Sequence, residues 1–356
     1  MAPSAISVFN KTGIELVMET GSGAAAGFPD QEYIEKGVRV LSRAEVFAAA
    51  DVLLQVHAGR DLEALRAGQT VIGFGEPFTA LDHMRALAGR GVSFLSMELM
   101  PRITRAQSMD ALSSMATIAG YKAVLLAADS LPRMFPMLMT AAGTVAPAKV
   151  LIIGAGVAGL QAIATARRLG AVVSGYDIRP AVKEQIESLG ARFVVLDVAA
   201  DAAEDKSGYA KAMSEDFYRR QREALGNVLA EQNVVITTAA VPGRKAPVLI
   251  TSEMAERMAP GSVIVDIAAE LGGNCELTRA GQTVERNGVR ILGPVNLAST
   301  IPYHASQMYA KNIATFLKHL VKDGKLSIRL EDEIVRETLV THEGRIVHPK
   351  VLELVG

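Results

Sequence analysis

The sequence predicts an α/β protein with two Rossmann-like, doubly wound parallel-sheet domains joined by a long helix. Three observations support this prediction. They are a glycine fingerprint between an apolar strand and a helix, short strands that alternate with helices on both sides of it, and a length of 356 residues. A chain of that length usually forms two domains. Strands that alternate with helices are typical of parallel sheets covered on both faces.

The glycine fingerprint is the clearest pattern in the chain. Val150 to Ile153 is an uninterrupted apolar run, as expected for a strand buried on both faces. The motif G-x-G-x-x-G follows at Gly154, Gly156 and Gly159, and residues Val157 to Leu169 have a helical pattern. A lone motif of this kind also occurs in ordinary packing turns, but the strand and helix around it indicate a dinucleotide site.

Each glycine has a distinct physical role in such a site. Gly154 allows the tight turn from strand to helix, and Gly156 lets a pyrophosphate approach the backbone. Gly159 lets the helix lie close to the strand. The N–H groups at the start of the helix, near Val157, carry partial positive charge and attract phosphates.

A second apolar strand ends at Asp177. The carboxylate of Asp177 can accept hydrogen bonds from both hydroxyls of an adenosine ribose and would repel a 2′-phosphate, so it favours NAD over NADP. Ile178 and Arg179 follow directly. The positive charge of Arg179 weakens that preference without reversing it.

Composition narrows the possible functions. Hydrophobic residues make up 49% of the chain, which is enough for large cores, and the net charge of −1 gives no indication of nucleic-acid binding. Cys275 is the only cysteine, so no internal disulfide is possible and a reducing compartment fits. We expect no signal peptide. We also predict no transmembrane span, because the charge-free run Val150 to Ala166 is shorter than about 20 residues.

The residues before the fingerprint have the pattern of a second α/β unit without a dinucleotide motif. His57 and His83 lie there, and we interpret both as surface or loop histidines. We expect residues 1–104 and 322–356 to form the N-terminal-type domain. Residues 105–130 would form the connecting helix, and residues 131–321 a Rossmann domain that ends in a return helix. The tail should form a hairpin that turns at Glu343 and Gly344.

The connecting helix begins with a polar cluster. Thr104 and Gln107 have the spacing of a capping box, so the helix should start near Arg105 and continue to about residue 128. Gln107, Asp110 and Ser113 are three residues apart and would share one edge of the first turns. Arg102 precedes them. This cluster is either a capped helix with a solvated edge or a functional site, and the pattern alone leaves both open.

The predicted Rossmann domain has six strands, a full Rossmann count, and two loops beyond strand ends where ligands bind. The strands lie near Val150, Val172, Phe193, Val234, Val263 and Val289. The two loops, Thr237 to Gly243 and Ala268 to Asn274, are made of small residues. A third segment, Asp197 to Tyr209, is long for an α/β connection and could be a lid with Tyr209 over a nucleotide, or a solvated insertion.

Several long segments resemble, in order, a known family. It is the NAD(H)-binding component (domain I, the alpha-1 subunit) of proton-translocating nicotinamide nucleotide transhydrogenase. The resemblance extends from about Gly13 to the C-terminus. The segments that carry it are Met97 to Ser114, Met139 to Thr144, Gly154 to Gln161, Thr237 to Gly243 and Gly272 to Asn274.

The resemblance implies a homodimer of two-domain protomers, each with NAD(H) in the cleft between its domains. Hydride would pass to NADP(H) on a partner component, coupled to proton movement by a membrane-spanning partner. The chain would be cytoplasmic, with no direct membrane insertion, and peripheral on the inner membrane through its partners. Proton translocation could not belong to this chain alone, because no hydrophobic membrane domain follows.

The resemblance also assigns roles to residues. The family's Arg-Gln-Asp loop falls on Arg102, Gln107 and Asp110, and its serine falls on Ser113. Its mobile-loop tyrosine falls on Tyr209. We expect no metal site. The complete set of predicted cofactor-binding residues is Gly154, Gly156, Val157, Gly159, Asp177, Ile178, Arg179, Tyr209, Thr238, Ala239, Pro242, Gly272 and Asn274.

One departure and two alternatives remain. The N-terminus lacks the Pro-Lys-Glu strand and the Arg-Val-Ala segment that are usual in this family, so we expect the first strand–helix unit to be shortened or missing. An enzyme similar to alanine dehydrogenase is the nearest alternative. It would need a lysine at Leu54 to His57 and a histidine at Gly73 to Pro77, and neither is present. A non-catalytic NAD sensor is the other alternative.

Overall fold

The chain divides into two compact units. They are Met1–Met115 with Ile301–Gly356, and Ala116–Thr300. The computed structural model describes residues 1–9, 12–196, 215–240 and 243–356. Each unit has a sheet with parallel strands and its own buried apolar clusters. The predicted α/β class is therefore confirmed.

The second unit is built on a seven-stranded sheet. All six predicted strands are present and parallel, and numbered along the chain they lie in the order 3-2-1-4-5-6 across the sheet, which is the Rossmann order. The seventh strand is antiparallel at one edge. Its sequence did not predict a strand because it contains a single apolar residue, Val284. From edge to edge the strands are Arg192–Phe193, Val172–Tyr176, Lys149–Ile153, Val234–Thr237, Val263–Asp266, Val289–Leu292 and Thr283–Arg286.

Apolar side chains are buried on both faces of this sheet. Successive residues of a strand point to opposite faces, so neighbouring residues belong to different clusters. Ile152 is fully buried in one cluster with Ile163. Its neighbour Leu151 is buried in another cluster, on the opposite face, with Leu225. Among the described residues, the α-helices that lie wholly in this unit are Val157–Arg168, Lys183–Ser188, Glu215–Ala230 and Ser252–Glu256.

The first unit is built on a five-stranded sheet. Three parallel strands continue into an antiparallel hairpin from the C-terminal tail. The predicted hairpin turn is confirmed, since Glu343 and Gly344 both have positive φ angles, 48° and 79°. The strands, in order across the sheet, are Arg345–Ile346, Leu339–His342, Ser93–Ser96, Thr70–Phe74 and Val52–His57, and a separate parallel pair is Val17–Glu19 with Arg39–Leu41.

The N-terminal segment is a 3₁₀ helix, Pro3–Phe9, with Pro3, Ala5, Ile6 and Phe9 buried. It packs on the helix Pro302–Leu320, which belongs to this unit. The prediction that this helix ends the Rossmann domain is wrong, because its apolar face, including Ile313 and Phe316, is buried with Ile72 of the first unit's sheet. The other helices here are Asp30–Ile34, Arg43–Ala49, Leu81–Gly89, Glu333–Thr338 and Pro349–Val355.

The long helix predicted from Arg105 to about residue 128 is Ala111–Ser130. Its predicted first turn is instead a separate 3₁₀ helix, Thr104–Met109. The proposed capping box at Thr104 is absent, since no side chain caps that 3₁₀ helix. Asp110 has an extended backbone conformation and separates the two helices.

One helix among the described residues is long and apolar enough to cross a membrane. It is Ala111–Ser130, and the criterion is one of length and composition only. Core helices of water-soluble proteins meet the same criterion. The absence of a transmembrane span therefore stays a prediction.

Within the second unit, Gly120 brings this helix into close contact with the helix Val157–Arg168. A Cβ added at Gly120 would lie 2.1 Å from the carbonyl oxygen of Ala158, closer than atoms can approach. Only glycine therefore permits this helix pairing, which supports the first turn after the fingerprint.

We predict that Gly120→Ala destabilises the protein by about 1–3 kcal/mol, because the added methyl group forces the two helices apart. Chemical unfolding monitored by circular dichroism measures the change. Gly89→Ala is a matched control, because a Cβ at Gly89 would meet no atom within 4 Å. That variant should be neutral or slightly stabilising. Equal stability of Gly120→Ala and wild type would contradict the proposed close contact.

Candidate functional site

The fingerprint turn follows the strand Lys149–Ile153 and begins the helix Val157–Arg168. Gly154 has a φ of 99°, a conformation that disfavours other residues. A Cβ at Gly159 would lie only 1.8 Å from the carbonyl oxygen of Gly154. These two glycines are therefore required by the backbone itself, as the motif predicts.

Gly156 differs from the other two glycines. Its φ is −76°, and a Cβ placed there would meet no atom within 4 Å. Nothing in its surroundings requires a glycine, so the open space is available to a ligand. Gly156 is also the N-cap of the helix, without a side-chain cap, and Val157 beside it is 39% exposed. The N–H groups of this first helical turn can therefore receive an anion such as a pyrophosphate.

Asp177 lies at the edge of this turn. It follows the strand Val172–Tyr176 and is 8% exposed. Its Oδ2 accepts a hydrogen bond of 2.7 Å from the N–H of Ala155, inside the fingerprint. Arg179 binds the same carboxylate through its backbone N–H and its guanidinium. Ile178, between them, is half-buried against the apolar cluster of that sheet face.

The predicted loop after the strand Val234–Thr237 meets the fingerprint from the next strand. The hydroxyl of Thr238 donates a 3.0 Å hydrogen bond to the carbonyl oxygen of Gly154. The N–H of Ala239 donates to Oδ1 of Asn274 at 3.0 Å, and Nδ2 of Asn274 donates to the carbonyl of Ala239 at 2.8 Å. The two small-residue loops are thereby joined.

Two predicted residues fall outside the described residues, and a third, Gly272, ends a short helix. Tyr209 and Pro242 are the two that are not described. Gly272 is exposed, with a φ of 97°, and ends the short 3₁₀ helix Ala269–Leu271. Its role is to turn the chain towards Asn274.

Asp266 is a further residue of these loops, and the sequence patterns did not single it out. Its carboxylate is completely buried and accepts five hydrogen bonds. The donors are the hydroxyls of Thr237 and Thr278 and the N–H groups of Ala268, Asn274 and Cys275. Because these donors come from both loops, Asp266 fixes one loop relative to the other. A usable signal was present: like Asp177, it is an aspartate at the end of an apolar strand.

The second group of predicted residues lies in the first unit. Asp110 caps the helix Ala111–Ser130: its Oδ1 accepts a hydrogen bond from the N–H of Ser113 at 2.9 Å, and its Oδ2 accepts from the Ser113 hydroxyl at 2.6 Å. These contacts join Asp110 to Ser113. Arg102 and Gln107 are exposed, and Gln107 is carried by the 3₁₀ helix Thr104–Met109.

Two distant side chains anchor the segment that carries Gln107. Arg105 forms two hydrogen bonds to Asp332, of 3.2 Å and 3.1 Å. Asn312, which is 6% exposed, donates from Nδ2 to the carbonyl oxygen of Ser108 at 2.9 Å. No sequence signal pointed to these contacts, because their partners lie more than 200 residues apart along the chain.

Asp332 has two further interactions that stabilise its charged form. It accepts a 2.8 Å hydrogen bond from the N–H of Ile334, as the N-cap of the helix Glu333–Thr338, and lies 3.0 Å from Nε2 of His319. Burial by itself would raise the pKa of Asp332. The hydrogen bonds from Arg105 and Ile334 and the charge of His319 outweigh it and lower the pKa to about 2.

The potential metal ligands and the cysteine thiol of the described residues give no indication of metal or thiol chemistry. Across the described ranges, no group of three or more His, Cys, Asp or Glu side chains is arranged to hold a metal ion. Burial raises the pKa of Cys275 to about 11, so its thiol is protonated at neutral pH. The described residues around the fingerprint are arranged to bind a phosphate-containing cofactor rather than a metal ion.

The fold and the fingerprint together define a class: two-unit α/β proteins with a dinucleotide-type site. The chain matches the family descriptions "Alanine dehydrogenase/PNT, N-terminal domain" over residues 1–119 and "Alanine dehydrogenase/PNT, C-terminal domain" over residues 123–349. It therefore belongs to the alanine dehydrogenase/PNT family.

Within this family the chain is similar to transhydrogenase proteins. It is 46% identical to the first part of NAD(P) transhydrogenase subunit alpha of Rhodospirillum rubrum, over 98% of this chain and 94% of the relative. The corresponding protein of Rickettsia prowazekii is 42% identical, over 98% and 92%. A transhydrogenase crystal structure from Sinorhizobium meliloti superposes with a TM-score of 0.86 at 45% identity, covering 97% of this chain and 95% of that one.

Alanine dehydrogenase is a more distant relative. The enzyme of Bacillus subtilis is 24% identical over all of this chain and 90% of its own length. A solved L-alanine dehydrogenase has a TM-score of 0.81 at 25% identity, over 99% of this chain and 94% of that chain. The shared fold therefore extends over both units.

We predict that Asp332→Asn weakens the first unit in a pH-dependent way. A carboxyl group with a lowered folded pKa contributes stability above its unfolded value of 3.8 and loses it as the pH falls towards about 2. Urea unfolding at a series of pH values should give the variant a lower free energy of unfolding than wild type at pH 7, and this difference should shrink below pH 4. The neighbouring exposed Glu331→Gln is the control. A deficit independent of pH would contradict the charge-based explanation.

Proposed function

We propose that this chain is the NAD(H)-binding component of a proton-translocating NAD(P) transhydrogenase. The observation that carries the proposal is the open fingerprint turn at Gly156 with Asp177 at its edge. It occurs in a chain 46% identical to a protein named as the first part of NAD(P) transhydrogenase subunit alpha. The turn supports dinucleotide binding, and the names of the relatives support the reaction.

The residues around the fingerprint fit NAD(H). The open space at Gly156 and the N–H groups of the first helical turn would bind the pyrophosphate. Asp177 would accept hydrogen bonds from the adenosine ribose. The joined loops around Ala239 and Asn274 would line the rest of the NAD(H) site with small side chains. Tyr209 and Pro242 stay as predicted contacts.

When bound, NAD(H) supplies the hydride, from its dihydronicotinamide ring, to NADP⁺ on the partner component. The transfer adds or removes no proton at either ring, so no residue of this chain has to act as an acid or a base. The work of the protein is to bind, to orient and to exclude water.

We assign the nicotinamide end to the segment Arg102 to Ser113. Both oxygens of Asp110 are engaged by Ser113, so we assign this pair to shaping the segment. Gln107 is exposed and carries both a donor and an acceptor, as a nicotinamide carboxamide requires. We assign Arg102 to the carboxamide or a phosphate.

The partners in this proposal are an NADP(H)-binding component and a membrane-spanning component. The chain would reach the cytoplasmic face of the inner membrane through them. The experiment below distinguishes this function from two others: an alanine-dehydrogenase-like enzyme and an NAD sensor without catalysis.

We predict rapid hydride transfer from NADH to an NADP⁺ analogue when the chain is mixed with a transhydrogenase NADP(H)-binding component. Gln107→Asn should slow the transfer about ten- to a hundredfold, since a displacement of about 1 Å can cost about a hundredfold. Stopped-flow absorbance measures the rate, and fluorescence titration measures NADH affinity, which should change little.

Gln31→Asn, in the exposed helix Asp30–Ile34, is the control and should transfer at the wild-type rate. Tight NADH binding without any transfer would leave only the NAD sensor. Turnover with alanine and NAD⁺ would favour the alanine dehydrogenase instead. Equal rates for Gln107→Asn and wild type would remove Gln107 from the nicotinamide end.

We also propose that the chain forms a homodimer through a hairpin of the second unit. Its strands are Leu138–Thr140 and Gly143–Val145. Met139 is 77% exposed and Met137 57% exposed, and no residue from Met134 to Ala148 carries a charge. An exposed apolar hairpin without charges is typical of an interface between protein chains, because isolated exposed edges otherwise aggregate. We expect the hairpin to pack against a second copy of this chain.

We predict that Met139→Asp shifts the protein from dimer to monomer, because each copy would then bury a charge in the interface. Sedimentation velocity at micromolar concentration measures the shift. Leu354→Asp, at an exposed leucine (52%) of the first unit, is the control and should leave the dimer intact. A monomeric wild type, or a dimeric Met139→Asp, would contradict the role of the hairpin.

A further inference from the structure

The carboxylate of Asp177 has all of its acceptor positions in use. Oδ1 accepts from the backbone N–H of Arg179 at 2.8 Å and from Nε of Arg179 at 2.9 Å. Oδ2 accepts from the N–H of Ala155 at 2.7 Å and from Nη2 of Arg179 at 2.9 Å. An ionised carboxylate offers about four lone-pair positions, so these four donors saturate it.

The ion pair between the two side chains is also shielded from water. The side chain of Asp177 is 5% exposed and that of Arg179 is 12% exposed. A two-pronged contact between a guanidinium and a carboxylate is among the stronger hydrogen-bonded pairs. This pair therefore differs from ordinary surface ion pairs, which contribute little.

An adenosine ribose needs two of the same acceptor positions. Of the four donors, the N–H groups of Ala155 and Arg179 are held by the backbone of the fingerprint turn and of the segment after the strand. The guanidinium of Arg179 is the donor that rotation about side-chain bonds can remove. We propose that Arg179 is a specificity-determining residue that competes with the adenosine ribose for Asp177, and that its side chain must leave the carboxylate for a dinucleotide to bind.

This inference rests on the proposed dinucleotide site and has two consequences. Competition from Arg179 lowers the affinity for NADH, because the ion pair must open first. Arg179 also lowers the selectivity for NADH over NADPH. Its cation lies two residues from Asp177, where it offsets the repulsion between the carboxylate and a 2′-phosphate.

The experiment is a pair of fluorescence titrations, with NADH and with NADPH, on the full chain. Arg179→Met removes the competitor and should bind NADH about tenfold more tightly. The ratio of the NADPH and NADH dissociation constants should rise about tenfold as well, because the carboxylate then faces the 2′-phosphate alone. Arg168→Met, at an exposed arginine in the last turn of the helix Val157–Arg168, is the matched control and should match wild type in both titrations.

Arg179→Lys separates the two consequences and serves if Arg179→Met does not fold. Lysine keeps the charge but cannot make the two-pronged contact. This variant should bind NADH more tightly than wild type while the NADPH-to-NADH ratio stays near the wild-type value. Circular dichroism and thermal unfolding establish that each variant is folded.

The outcomes are distinguishable. Unchanged or weaker NADH binding by folded Arg179→Met and Arg179→Lys would overturn the inference, because Arg179 would then support binding instead of competing with it. A wild-type chain that is folded but binds no NADH would overturn the proposed function and this inference together. A chain that binds NADH but transfers no hydride would leave the competition at Asp177 intact.

Discussion

The closest backbone contact at the fingerprint is the constraint on which the second unit depends. Since a Cβ at Gly159 would lie 1.8 Å from the carbonyl oxygen of Gly154, the helix lies directly against the strand-to-helix turn. In this turn the N–H of Ala155 donates a hydrogen bond to Asp177, and the carbonyl of Gly154 accepts one from the hydroxyl of Thr238. Gly120 allows a second helix to approach the same first turn. Absence of side chains at these points thus creates a rigid turn with its N–H groups open to a ligand.

Two aspartates at the ends of parallel strands have different roles in this unit. Asp266 is completely buried and accepts five hydrogen bonds, from the two loops that it orders and from the residues that follow the second loop. Asp177 is also saturated, but two of its four donors belong to the movable guanidinium of Arg179. A carboxylate whose donors are mostly backbone N–H groups stabilises the architecture, since those donors cannot move without the backbone. One whose donors include a long flexible side chain can exchange that partner for a ligand.

The segment with Gln107 in the first unit depends on contacts of another kind. It is a short 3₁₀ helix, a structure with little intrinsic stability, between an extended residue and a long α-helix. Asp110 fixes its far end through Ser113, and Arg105 and Asn312 attach it to the C-terminal residues of the unit. Its apolar residues Ala106 and Met109 are buried in the core of the first unit, so polar contacts and apolar burial together hold the segment in place.

Local sequence patterns were enough to predict those features of the protein that depend on consecutive residues. Apolar runs and glycine positions predicted the six parallel strands and the fingerprint turn, because a buried strand and a tight turn each restrict residue type at neighbouring positions. The aspartate after the second strand and the tail hairpin were predicted for the same reason.

Features that depend on residues far apart in the chain became visible only in the folded protein. The helix Pro302–Leu320 lies in the first unit because its apolar face fits the core around Ile72, and no periodicity specifies which core a helix will join. Arg105 pairs with Asp332, and Thr237 donates to Asp266 from 29 residues away, because such contacts depend on partners that only folding brings within hydrogen-bond distance.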